Sequence, residues 1–441
     1  MGTPAPCRLV VIVMRLFRCI FSVCIVSGCC TAVHAQYEPP GDIYPDAVMA
    51  DGIKTVRLYK DGWEISYPVR NINDERSMVL TFDELGSAVK SYAYRIVHCD
   101  AEWKRSRLIE SDYLEGFSVN YTRHYDYSFN TAIPYVHYRI PLPNEDISLK
   151  LSGNYVIIIY EEGKEEYPIL CKRFSVTESV ASVQASAVRP RLTAHQDEWQ
   201  QVELLVRTVN YPVENPYQDM KIVILKNGQW HNAVRGIKPL FVRQNELDYR
   251  QEKAGLFPAG NEYRPLDLKS LRYASTPVSK IDFGPTTYHF YLQPDAPRRR
   301  YLFKEDFNGR YAIQSEKTDR YDVACEYVYA HFSLKTSQPF DDGQVYVCGS
   351  FCNDNFTEEN RMIYNADKGQ YEASILLKQG YYNYQYVFLP FDTQIPDEGW
   401  IEGNFSDTEN DYLIYVYHKG RLSRYDRLIG VTTVNSLYRN Q

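Results

Sequence analysis

GNYVIIIYEEGKEEYPILCKRFSV, residues 153–176, decides the fold class. Val156 to Ile159 is an unbroken β-branched run, too short to make a helix of its own. Such a run reads as a central strand covered on both faces. The charged turn from Glu161 to Glu166 reverses the chain into a second strand, PILCKRFSV. A closing pair of this kind commonly ends an immunoglobulin-like domain. Working outward, IKTVRLYKDG (53–62) alternates and stops at an Asp61-Gly62 turn. SYAYRIVHCDAEW (91–103) sets Tyr92, Tyr94, Ile96 and His98 on one strand face and Ala93, Arg95 and Val97 on the other.

The same pattern continues along the chain. No 15-residue stretch has a convincing 3.6-residue period, and short β-rich runs recur between Gly, Pro, Asn and Asp. The expectation is all-β: tandem immunoglobulin-like or early-set β-sandwich domains. The small, polar run TESVASVQASA (177–187) marks a boundary. The expected division is a first sandwich over 36–178, a middle β domain over 179–320 and a self-contained C-terminal sandwich over 321–441. The middle domain opens with QQVELLVRTVNYP and MKIVILKNGQW, where Asn227-Gly228 is a hairpin-turn signal. Residues 243–279, rich in charge, Gly and Pro, are expected to hold a long surface connection. The last domain carries YVYAHFSL, QVYVCGSF, QYEASILL, YNYQYVFL and DYLIYVYH.

Residues 1–35 stand apart. Arg8, Arg15 and Arg18 are their only charges, CIFSVCIVSGCC is apolar, and Val33 and Ala35 are small residues at −3 and −1 before Gln36. This is an export signal cleaved between Ala35 and Gln36. A start at Met14 gives it the more ordinary form. The apolar run is about a dozen residues, short of the roughly 20 that span a bilayer. Val26-Ser27-Gly28-Cys29 fits a lipobox, so acylation of Cys29 is the alternative route. Cleavage before Gln36 removes three Arg and no acid, taking the charge from −7 to −10. That balance argues against bulk nucleic-acid binding. Five of the ten Cys lie in the signal, leaving Cys99, Cys171, Cys325, Cys348 and Cys352. Cys348 and Cys352 are close enough in sequence for a disulfide in an oxidising compartment; the other reading is that all five are buried thiols. No metal-ligand spacing is present.

No catalytic motif is found: no G-x-S-x-G, H-E-x-x-H, P-loop or G-x-G-x-x-G. His98 and Cys99 are adjacent, but neighbours on a strand point to opposite faces and do not make a nucleophile pair. The acidic pairs Glu161-Glu162, Glu165-Glu166, Asp341-Asp342 and Glu358-Glu359 read as solvated turn charges, and Arg298-Arg299-Arg300 as a solvated loop. The expectation is a non-enzymatic protein without cofactor.

VYVCGSFCNDNF and GQYEASILLKQGYYNYQYVFL resemble the glycogen-binding, early-set sandwich, with Gly349, Phe351, Gly380, Tyr382, Tyr384 and Tyr386 in corresponding places. No Trp occurs between Trp230 and Trp400, and Phe356 stands where that family has its turn Trp. The likeness therefore supports the fold and weakens sugar binding.

The mature chain as a whole resembles the plug protein family of the type IX secretion system. The resemblance is carried by IYPDAVMADGIKTVRLY, SYAYRIVHCDAEWKRSRLIESDYLEGF, EDFNGRY, VYVCGSF and GNFSDTENDYLIYVYHKGRLSRYDRLIGVTTVNS. Glu115-Gly116-Phe117 and Tyr425-Asp426-Arg427-Leu428-Ile429-Gly430 are specific in combination. The resemblance implies a non-enzymatic periplasmic protein at the inner face of the outer membrane. It would dock on the large outer-membrane β-barrel translocon and seal its periplasmic mouth while no cargo passes, without nucleic acid or small-molecule substrate. It implies no contact residues. The alternative reading is a carbohydrate-binding accessory sandwich, including one anchored as a surface lipoprotein. An outer-membrane barrel fits poorly, since the chain ends LYRNQ without a terminal aromatic.

Overall fold

A computed structural model describes residues 37–191, 194, 196–251 and 253–437. The signal segment, with Met14, Cys29, Ala35 and Gln36, lies outside the described residues. The strand Gly153–Glu161 sits at the centre of a sheet, between Pro168–Thr177 on one side and Tyr92–Cys99 on the other. Tyr155, Ile157 and Ile159 enter one apolar cluster, while Val156, Ile158 and Tyr160 enter another. Both faces are covered, which is why the sequence there has no polar alternation.

The first sandwich pairs that sheet with a second one made of Ile53–Lys60, Met78–Leu85, Tyr135–Leu142 and His124–Tyr127, in that order. Met78, Leu80, Phe82, Val136, Tyr138 and Ile140 face Tyr92, Tyr94, Ile96, Tyr155, Ile157 and Phe174 across the core. The outer face of the central sheet is sealed by Tyr44 and Trp103, with Trp230 packed against them from the next domain.

The other domain boundaries differ from the expected 179–320 and 321–441. The second sandwich is built from Ser182–Val188, Trp199–Arg207, Glu246–Asp248, Phe241–Arg243 and Leu256–Pro258 on one side. Its other sheet runs Val234–Arg235, Met220–Lys226, Asp411–His418, Arg427–Asn435. Met220 pairs with His418 and Lys226 with Tyr412 along a full antiparallel ladder. Tyr412, Ile414, Val416 and Ile429 share a core with Ile222, Ile224 and Val206. The last two strands therefore belong to the middle domain. The supposed surface connection over 243–279 is partly interior: Leu247, Tyr249, Phe257, Leu266 and Leu268 are buried.

The third sandwich is inserted between the two halves of the second. It draws Arg264–Asp267, Val278–Phe283, Tyr288–Leu292 and Tyr311–Ile313 from the region expected to be the middle domain. These pair with Tyr327–Lys335, Gly343–Cys348, Ile363–Asn365, Gln370–Lys378 and Gly380–Pro390 around one core. At Asn227-Gly228 both residues have positive φ, 53° and 77°, as the primed hairpin turn requires.

Candidate functional site

The Tyr425–Gly430 motif lies at a domain junction. Tyr425 packs its ring on His98, 5.4 Å between centroids. Asp426 is buried and accepts the Ala101 N–H at 2.9 Å and Lys221 Nζ at 3.0 Å. The Leu428 carbonyl accepts the Glu178 N–H at 3.0 Å and the Ile429 carbonyl accepts the Ala181 N–H at 2.9 Å. This segment stitches the last strand to the connection between the first two sandwiches.

A second junction joins the first and third sandwiches through buried charge. Asp83 Oδ2 meets Lys378 Nζ at 2.6 Å and accepts the Tyr327 hydroxyl at 2.7 Å, while Asp83 Oδ1 lies 2.6 Å from His137 Nδ1. Burial pushes the Asp83 carboxyl up, but Lys378 and His137 outweigh it and hold it below the usual carboxylate range. Lys378 also sits 4.2 Å from the Tyr135 ring centroid and donates to the Asp322 carbonyl at 2.6 Å. Arg57 pairs with Glu64 at 2.6 Å beside it. A buried charge stripped of its partner is expensive, so these contacts fix the two sandwiches in one arrangement.

His98 and Cys99 do not form a reactive pair. His98 lies under Tyr113, Tyr155 and Tyr425, its Nε2 3.1 Å from the Ser152 carbonyl, and burial lowers its pKa to about 4. Cys99 faces the opposite cluster, with Val97 and Trp103, and burial raises its thiol far above the ordinary value. All five described cysteines are free thiols. Cys348 is buried, and Cys352 donates to the Gly349 carbonyl at 3.0 Å. Three members of the acidic pairs meet local or interdomain cations: Glu161 with Lys164 at 2.8 Å, Glu358 with Arg361 at 2.6 Å, Glu359 with Lys54 at 2.7 Å. Arg298 departs from the solvated loop expected for it. Its Nε binds the buried Glu402 at 2.6 Å, which also takes Arg264 at 2.9 Å.

The residues that match the glycogen-binding pattern are interior. Tyr382, Tyr384 and Tyr386 are buried, and the hydroxyls of the last two donate to Asp295 Oδ2 at 2.8 Å. Phe356 packs on Tyr346 and on His231. On the outer face of this domain His289, Tyr291, Tyr329 and His331 form a row. Their rings stack on one another, with centroids 4.5 Å apart for Tyr291 and His331 and 5.1 Å for the two histidines. The ring faces a sugar would need are turned toward neighbouring rings.

A surface of the first sandwich departs from this self-satisfied pattern. Residues 117–129 link the edges of the two sheets of the first sandwich, through Asn120–Tyr121 and His124–Tyr127. His124–Tyr127 pairs on one side only, with Tyr135–Leu142; its other edge has no strand partner among the described residues. Phe117 (67% exposed), Tyr121, Tyr125, Tyr127 and Phe129 (64%) all project into solvent. Arg123 and Arg320 border them, Arg320 over the Phe129 ring at 5.9 Å. Gly116 starts the segment at φ 114°, where a Cβ would lie 1.9 Å from the Asp146 carbonyl oxygen, so only glycine fits the approach. Exposed aromatics with arginine beside an open strand edge are the features of a protein-docking surface.

Residues 53–178 match the family described as type 9 secretion system plug protein, first domain. A crystal structure of a hypothetical protein from Parabacteroides merdae at 2.30 Å resolution is 36% identical, with a TM-score of 0.87, over 89% of this chain and 99% of that one. A structure of native alpha-2-macroglobulin from Escherichia coli, spanning domains NIE-MG1, is 12% identical over 41% of this chain and 87% of that one, with a TM-score of 0.14. No curated protein matches.

Proposed function

The chain belongs to the type IX secretion system plug protein family, and from that premise we propose that it docks on the periplasmic face of the outer-membrane β-barrel translocon and closes it between passages of cargo. A role associated with type IX secretion follows from the family itself. The aromatic edge at 117–129 carries the docking step. It lies within the family-matched domain and combines an unpaired strand edge with five exposed rings. Strand addition to a sheet edge supplies main-chain hydrogen bonds, and the rings supply anchors. A standard interface buries about 800 Å² per partner, enough for specific docking that still releases.

Closing a pore wide enough for folded cargo asks for a cover that does not itself open. Buried ion pairs at the junctions and a domain inserted into another support that rigidity. This reading puts the protein in the periplasm, held to the outer membrane through its partner, as a structural protein without catalysis.

The test is genetic. Deleting the protein is expected to admit large antibiotics such as vancomycin, with secretion largely intact, and deleting the barrel as well is expected to restore the barrier. A leak that persists without the barrel rejects the proposal. Calorimetric binding to maltooligosaccharides in the millimolar range or tighter would instead favour a carbohydrate-binding role.

A further inference from the structure

Three carboxylates gather where the chain crosses between the second and third sandwiches. Glu262 lies on the outgoing crossing, just before Arg264–Asp267. Asp306 lies in the loop that leads to Tyr311–Ile313, and Glu409 lies on the return, just before Asp411–His418. One oxygen from each sits within 4.8 Å of the others. Two Ca–O bonds of about 2.4 Å span that distance.

Buried acids are ordinarily matched by Lys or Arg. Among the described residues no such ion pair reaches these three. The nearby arginines are engaged elsewhere: Arg298 with Glu402 and the Glu262 carbonyl, Arg264 with Asp295 and Glu402, Arg310 with Asp411. Among the described residues a second cluster of this kind, Asp100, Glu102 and Asp426, differs in this respect, because Lys221 pairs with both Glu102 and Asp426.

The hydrogen bonds around the cluster leave oxygens over. Glu262 is 1% exposed; its Oε1 accepts the Tyr301 hydroxyl at 2.7 Å and the Glu409 N–H at 3.1 Å, yet its buried Oε2 has no donor among the described residues. Asn308 gives its amide N–H to Glu409 Oε1 at 3.0 Å, and its own buried Oδ1 is also without a donor. Asp306 is held by the N–H groups of Tyr263 and Asn308. Buried acceptors in native proteins are nearly always satisfied. An all-oxygen set of three carboxylates, with a side-chain amide oxygen beside it, suits a hard divalent cation.

We propose that Glu262, Asp306 and Glu409 form a Ca²⁺ site that ties together the two crossings between the second and third sandwiches. The ion takes the unpartnered Glu262 Oε2 as a ligand and relieves repulsion among the three acids.

The experiment is calorimetric titration of the chelator-treated mature chain with CaCl₂ at neutral pH. One ion per chain is expected, with a dissociation constant on the order of 10⁻⁴ M or tighter. Glu262→Gln and Asp306→Asn are each expected to weaken binding at least about tenfold, while Glu102→Gln in the other acidic group leaves it unchanged. Absence of binding by the wild-type chain at about 1 mM Ca²⁺, or binding indifferent to both variants, overturns the proposal. Should the variants not fold, a Tb³⁺ soak of a wild-type crystal decides: an anomalous peak among Glu262, Asp306 and Glu409 supports the site, and its absence there rejects it.

Discussion

Asp83 of the first sandwich and Lys378 of the third meet at 2.6 Å with both side chains withdrawn from solvent. Removing one partner leaves the other as an uncompensated buried charge. Asp83→Asn and Lys378→Met are each expected to destabilise the protein by about 3–5 kcal/mol. A double replacement by apolar residues of similar volume should recover most of that loss. Denaturant unfolding followed by fluorescence measures both, and single variants with wild-type stability would show that the pair does not hold the junction.

His98 predicts a pH dependence. Its folded pKa is about 4, against about 6.5 unfolded. Below pH 6.5 the unfolded chain takes up a proton that the folded chain refuses until about pH 4. The stability contribution of the neutral imidazole is therefore complete above pH 6.5 and is lost as pH falls from 6.5 to 4, about 3 kcal/mol in all. Asp306 and Asp354, both raised to about 7 by burial, act with the opposite sign over this range. The difference between wild type and His98→Gln isolates the histidine: the wild-type advantage should shrink by that amount between pH 7 and 4. A constant difference contradicts it.

The aromatic edge predicts a separation of stability from docking. Tyr127→Ala and Phe129→Ala remove exposed rings and should change unfolding free energy by less than about 0.5 kcal/mol. Together they should lower recovery of the translocon barrel in affinity purification from membranes at least tenfold, the scale of a hot-spot pair. Undiminished recovery would move the docking surface elsewhere.

Residues 264–402 are expected to fold in isolation, because they contain the strands of the third core. Residues 321–441 are not, since they lack four of those strands and carry two of another domain's. Dispersion of amide resonances in the two fragments distinguishes these outcomes.

Mass spectrometry of the mature N-terminus is expected to begin at Gln36. An acylated Cys29 would instead identify a lipoprotein.

Strand content was legible because alternation and β-branched runs are local properties. Tyr92, Tyr94 and Ile96 fall on one face and Ala93 and Val97 on the other, as period two requires. Connectivity was not local. Nothing in DYLIYVYH distinguishes a strand of the third sandwich from one that returns to Met220–Lys226. The aromatic edge was half visible: Glu115-Gly116-Phe117 stands out in sequence, but Tyr125 and Tyr127 look like core positions of an ordinary strand. Their exposure is set by what packs over the strand, which the local pattern does not carry. The pairing of Asp83 with Lys378, 295 positions apart in the chain, left no mark in either segment.

The insertion of the third sandwich into the second also sets an order of events for an exported chain. Met220–Lys226 emerges early, but its ladder partner, Asp411–His418, lies near the C-terminus. If the chain is exported as we propose, the middle of the molecule waits, with an open apolar face, until nearly the whole polypeptide has crossed the inner membrane. Export interrupted near residue 400 would thus yield a chain whose first and third domains can close while the second cannot, a species that periplasmic chaperones and proteases are equipped to recognise.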